Sequence, residues 1–174
     1  MLLKSEKITA VFQENYPNLC RYLESIVGRG LNASDIAQES FLRLCQAELG
    51  EISTDEIRFW LFRVARNLAL NEAGKNKTRR GLFAQITLFF SRREPTPEDL
   101  FLKNEKQRIV RELLNDLPEH QRSALLLREQ EEMSYREIAL ILNITESKVK
   151  IDIFRARQML RKLWFERQEK REEY

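Results

Sequence analysis

Ser147, Ile151, Phe154 and Gln158 recur at steps of four and three residues, with Lys148, Lys150, Arg155, Arg157 and Arg161 interleaved among them. On a helix this spacing makes one outward face flanked on both sides by cations. Val149, Ile153, Ala156, Leu160 and Leu163 form the opposite, apolar stripe. Such a face can grip phosphates with its bases while its amino-terminal residues reach base edges in a major groove. Ile151 and Phe154 are apolar on a face expected to meet solvent, which suits contact with thymine methyl groups or with a neighbouring helix. An amphipathic helix in a plain bundle would show the same stripe, so the preceding residues matter. Ser134 and Glu137 have the spacing of a capping box, Asn143 suits a tight left-handed turn, and Thr145 can cap the next helix. Short helix, short turn and longer helix is the helix-turn-helix layout.

A second group lies upstream. From Arg58 to Arg80 the charged residues are Arg58, Arg63, Arg66, Lys75, Lys77, Arg79 and Arg80, with Glu72 the one acid. A concentrated basic block is what phosphate binding needs, because each neutralised phosphate releases condensed counterions. Asn67 and Asn71 add donors and acceptors one helical turn apart, and Phe59, Trp60 and Phe62 offer stacking surfaces for unpaired bases. A solvated helix face would carry the same charges, and these aromatics serve equally as core, the role expected for Trp60.

Helices must position both groups. With 43% apolar and 33% charged residues, five glycines and four prolines, the composition suits an all-α chain better than a turn-rich β architecture. Apolar residues at helical period predict one or two helices over Ile8–Ile26, interrupted by Pro17, and a helix capped by Asn32, with Asp35 in its first turn, running to about Leu49. The same period predicts a helix from Glu56 to about Lys75, with Ile57, Leu61, Val64, Ala65 and Leu68 inward and Phe59, Phe62, Arg63, Arg66, Asn67 and Asn71 on its other faces. Further helices are expected at about Asn104–Asn115, Glu119–Gln130, Ser134–Leu142 and Thr145–Gln168. Between the two halves, LFAQITLFF gives way to SRREPTPED, where Pro95 and Pro97 disfavour a continuous helix. The expected architecture is two small helical domains, 1–80 and 104–168, joined by a linker at 81–103 and followed by a charged tail at 169–174.

Three segments, DIAQESFLRL (Asp35–Leu44), FWLFRVARNLALNEAGKNKTRR (Phe59–Arg80) and the run from Leu117 to Leu163, resemble the extracytoplasmic-function group of bacterial sigma factors in order, spacing and intervening linker. The resemblance covers nearly the whole chain. It implies an alternative sigma factor whose partners are core RNA polymerase and promoter DNA, and it suggests an inhibitory anti-sigma factor, to which no residue is assigned. By the same resemblance Ile36, Phe41 and Leu44 face inward, and Asp35, Gln38, Glu39, Leu42 and Arg43 dock on the clamp helices of the polymerase's largest subunit. Arg63, Arg66, Asn67, Asn71, Lys75, Lys77, Arg79 and Arg80 would hold the opened minus-ten element, a base of which is flipped out and captured. Ser147, Lys148, Lys150, Ile151, Arg155 and Arg157 would meet the minus-thirty-five element. Ile151 and Asp152 depart from the family pattern, which commonly has a small polar and a basic residue there. The linker is expected to thread toward the polymerase active-site cleft and RNA exit channel, its apolar half packing on a domain or on an anti-sigma partner.

Other classes fit less well. A stand-alone helix-turn-helix regulator would need a sensor or dimerisation domain in its first eighty residues, and such a domain has no need of a second basic surface. A helical adaptor would use the basic patches on acidic partners. An enzyme is the weakest reading: His120, the single histidine, sits beside Glu119 near a helix start, and no phosphate loop, metal-ligand cluster or nucleophile arrangement is present. No cofactor is expected. Cys20 and Cys45 lack metal or redox spacing and are expected to be buried free thiols. The amino terminus has no signal-peptide pattern and no run is long enough to span a membrane, so no membrane insertion and a cytoplasmic location are expected.

Overall fold

The computed structural model describes residues 2–27, 32–48, 50–83 and 105–172, with side chains from 6 to 26, 32 to 74 and 109 to 169 within those stretches. Among these residues there are seven helices and no strand. The first half holds α1 (Leu2–Val27), α2 (Ala33–Gln46) and α3 (Thr54–Phe83). α1 runs unbroken through Pro17. It packs against α2 and α3, burial that offsets the roughly 3 kcal/mol that an internal proline costs. Asn32 caps α2, its side chain accepting from the Ser34 N–H at 3.1 Å. α2 stops at Gln46, short of the expected Leu49.

α3 starts earlier and ends later than its apolar period predicts. Its start is fixed by a capping box in which the Ser53 N–H donates to Glu56 at 2.7 Å and the Glu56 N–H donates to the Ser53 hydroxyl at 3.1 Å. Its end passes Lys75 and takes in Gly81–Phe83, where the linker was expected to begin. The remainder of that linker, 84–103, lies outside the described residues, as does the end of the tail.

The second half holds α4 (Glu105–Asn115), α5 (Glu119–Glu129), α6 (Tyr135–Leu142) and α7 (Glu146–Glu172). Ser134 and Glu137 form the expected capping box on α6. Asn143 turns the chain in the left-handed region at φ 55° and ψ 48°, and the Thr145 hydroxyl accepts from the Lys148 N–H at 3.2 Å at the start of α7. The helix-turn-helix is therefore α6 and α7.

The two halves pack together. α1 lies against α4 and α5, and α3 lies against α6. Buried residues of both halves, from Ile8 and Leu23 through Phe62 and Ala69 to Leu127, Ile138 and Ala156, form one contiguous apolar cluster. At roughly 25 cal/mol per Å² of apolar surface removed from water, this shared core is the main force holding the halves in place.

Candidate nucleic-acid interface

α2 buries Ile36, Ala37 and Leu44 while Phe41 stacks on Phe12 of α1 at 4.3 Å. That leaves Asp35, Gln38, Glu39, Leu42 and Arg43 together on the exposed side. Arg43 donates to Glu39 at 2.7 Å, and Leu42 stands 53% exposed between them. An apolar side chain ringed by a neutralised charge pair can be desolvated cheaply, which suits a protein contact.

α3 divides its candidate residues. Arg63, Asn67 and Asn71 are exposed, and each lies one turn from the next. Arg66 is not free: its side chain is 12% exposed and grips Glu119 of α5 through two bonds, at 3.0 Å from Nε and 2.7 Å from Nη2. Ser123 braces the pair by donating to Glu119 at 2.6 Å. The backbone of Lys75, Lys77, Arg79 and Arg80 belongs to α3, but their side chains lie outside those described. Phe62 is wholly buried against Tyr22 and offers no stacking surface, so its expected outer position is corrected. Helical spacing puts it one residue from Leu61, and the core here wraps more than one face of α3. Phe59 and Trp60 are part-buried against the same cluster, as expected for Trp60.

α7 presents its face nearly as its period predicts. Val149, Ile153 and Ala156 are buried; Ser147, Ile151, Phe154, Arg155 and Gln158 are exposed, with Ile151 at 46% and Phe154 at 63%. The bases are less free than the sequence suggests. Lys150 lies over the Tyr135 ring, 5.5 Å from its centroid, and Arg157 pairs with Glu129 at 2.5 Å, a contact that raises the guanidinium pKa further. Lys148 is ion-paired with Asp152. Asp152 is fully buried and faces the domain interior, 3.7 Å from His120 Nε2, with its second oxygen unpartnered. It is a packing residue on the inner side of α7.

α3 packs against α6, which brings Arg63 near the start of α7. A cleft of about 440 Å³ is lined by Arg63 of α3, Arg136 and Leu140 of α6, and Thr145 and Glu146 at the start of α7. The halves also exchange polar contacts. Arg58 donates to the Glu131 carboxylate at 3.2 Å and to its carbonyl at 3.1 Å, Asn18 reaches the same carboxylate at 3.4 Å, and Arg122 donates to the Ile26 carbonyl at 2.7 Å. Burial pushes the Arg122 guanidinium down and the Tyr22 phenol beside Ser123 up. Sequence reasoning missed this set, Arg58, Arg66, Glu119, Arg122 and Glu131, because its contacts join residues more than fifty positions apart.

Two thiols complete the picture. Cys20 is part-buried but Cys45 is exposed at the end of α2, correcting the expected burial; desolvation raises both pKa values. Among the described residues no helix is long and apolar enough to cross a membrane, and no cluster of His, Cys, Asp or Glu is arranged to hold a metal ion.

Comparison with known proteins gives these surfaces a family. Residues 11–79 match the Sigma-70 region 2 model and residues 107–160 match Sigma-70, region 4. The chain is 34% identical over 139 residues to the RNA polymerase sigma-H factor of Pseudomonas aeruginosa, covering 75% of this chain and 72% of that one. It is 32% identical to the ECF sigma-E factor of Haemophilus influenzae, over 72% and 71% of the two chains, and 28% identical to SigM of Bacillus subtilis, over 90% and 94%. The sigma factor RpoE of Bartonella quintana, solved in complex with the anti-sigma factor NepR, shares the fold at a TM-score of 0.66 and 20% identity, over 91% of this chain and 94% of that one. The chain belongs to the ECF group of the sigma-70 family. It is an alternative sigma factor, directing RNA polymerase to promoters and starting transcription there.

Proposed function

We propose a division of labour among three faces. Asp35, Gln38, Glu39, Leu42 and Arg43 dock on core polymerase; Arg63, Arg66, Asn67 and Asn71, with Lys75, Lys77, Arg79 and Arg80, capture the opened minus-ten strand. Ser147, Lys148, Lys150, Ile151, Arg155 and Arg157 fix the reading helix on the minus-thirty-five duplex. Residues 1–80 form the polymerase-binding and melting domain, 81–103 the linker and 104–168 the duplex-reading domain, with 169–174 a charged tail. Catalysis belongs to the polymerase, and the chain works in the cytoplasm, where an anti-sigma factor restrains it, as NepR is bound to the Bartonella protein.

The observation that carries this reading is the chemistry of the exposed sides of α2, α3 and α7. The first is a neutral pair around an apolar centre, the second is amide-bearing and basic, and the third is basic with apolar residues at its middle. The first suits a protein surface, the second an unpaired strand and the third a major groove. Run-off transcription with core polymerase on a genomic fragment library tests it. Discrete new start sites are expected, lost with Asn67→Ala and Asn71→Ala together and weakened by Leu42→Asp. Start sites indifferent to these changes would overturn the residue assignments.

A further inference from the structure

The arginines where the halves meet fall into two groups. Arg58, Arg66 and Arg122 are each engaged by the opposite half, through Glu131, Glu119 and the Ile26 carbonyl. Arg63 of α3 and Arg136, the second residue of α6, line the cleft of about 440 Å³ and are exposed. Among the described residues neither makes a hydrogen bond or an ion pair. Glu146 lines the same cleft, is exposed, and is equally without a partner among the described residues. Two guanidiniums and a carboxylate thus share one concave surface without neutralising one another, and all three keep their hydrogen-bonding capacity for something else.

The rest of the wall is of two kinds. Leu140, 55% exposed, and the part-buried Ile144 form an apolar side. Leu140 has no part in the docking, strand-capture or duplex-reading sets. Asn143 adds an amide, and Thr145 a hydroxyl that accepts from the Lys148 N–H and retains its own proton to donate. The volume lies within the range of about 300–1,000 Å³ usual for small-molecule sites and is far more than a bare phosphate fills.

We propose that this cleft binds a nucleoside di- or triphosphate. Arg63 and Arg136 take the phosphate chain in forked, charge-assisted hydrogen bonds, with Thr145 and the positive end of α7 beside them. The base covers Leu140 and Ile144, with the Asn143 amide at its edge. Glu146 accepts from the ribose hydroxyls, the use a carboxylate has in dinucleotide sites. That carboxylate separates this ligand from a bare polyphosphate, which it would only repel. The site stands whether or not Arg63 also holds a promoter strand.

Equilibrium dialysis of the free full-length chain against radiolabelled ATP tests it, with unlabelled competitors. Saturable binding of a single ATP is expected. Removing a charge-assisted pair with Arg136→Ala should weaken it about tenfold, whereas Arg161→Ala, a base of α7 outside the cleft, should leave it unchanged. Losing the ribose contacts should make 2′,3′-dideoxy-ATP a competitor about fivefold weaker than ATP. Glu146→Ala should abolish that difference and tighten the binding of tripolyphosphate. Should Arg136→Ala not fold, Glu146→Ala and Leu140→Asp carry the test, each weakening ATP. No saturable binding, or binding unmoved by the cleft variants, overturns the site. Tripolyphosphate or dideoxy-ATP competing as well as ATP marks an anion patch on a basic chain and overturns the nucleotide assignment.

Discussion

α3 and α7 both carry a basic face, and their charges are neutralised in opposite ways. On α3 the compensating acid comes from the other half of the molecule: Arg66 is paired with Glu119 and Arg58 with Glu131. On α7 it comes from the same half, through Asp152 for Lys148 and Glu129 for Arg157. Local compensation tunes a surface and leaves it open. Compensation from across the chain closes a surface and ties it to domain position. The aromatic residues repeat the contrast, Phe62 of α3 being fully buried and Phe154 of α7 standing 63% exposed.

The largest test of that contrast compares these two rings. Phe62→Ala should cost about 3–5 kcal/mol of stability, the range for truncating a buried aromatic. Phe154→Ala should stay within about 0.5 kcal/mol, as exposed substitutions do. Urea unfolding monitored by circular dichroism measures both, and similar losses would erase the distinction. Ser134→Ala removes one arm of the capping box that starts the helix-turn-helix and should cost about 1 kcal/mol, lowering Tm by roughly 2–4 °C for a chain of this size.

Asp152→Asn sharpens the comparison on α7 alone. It frees Lys148 from its internal partner, and one additional phosphate contact should steepen the slope of log Kobs against log salt by about 0.9 for the holoenzyme on promoter duplex. An unchanged slope would mean that Lys148 does not reach phosphate. The smallest effect concerns Glu56, whose carboxyl pKa is held below its usual range by hydrogen bonds from the Ser53 backbone and hydroxyl. Because the folded value is the lower one, this contribution to stability is present above the usual carboxylate range and disappears as pH falls through the folded value. Glu56→Gln should flatten the acid limb of the stability curve slightly, and an identical acid limb would contradict the capping role.

Much of this was legible in the sequence because it was local. The Ser134–Glu137 box, the left-handed Asn143, the Thr145 cap and the buried stripe of α7 depend on neighbours within about one turn, where spacing alone fixes geometry. The Ser53–Glu56 box had the same signature and could have moved the predicted start of α3 to its observed place. Phe62 was misplaced because its burial depends on which helices arrive from elsewhere. The polar contacts between halves were out of reach: Arg66 and Glu119 carry no mutual signal at a separation of 53 positions. Nor does sequence announce that Glu132 adopts φ 54° in the turn following Glu131, since glutamate is not a residue that favours that region.

The single apolar core shared by both halves has a consequence for the life of the protein. Parting the halves strips water-excluding cover from both sides of the seam, and an open molecule without polymerase would present that seam to proteases and to other copies of itself. Any partner that bound only the parted form would have to offset that lost burial with contacts of its own.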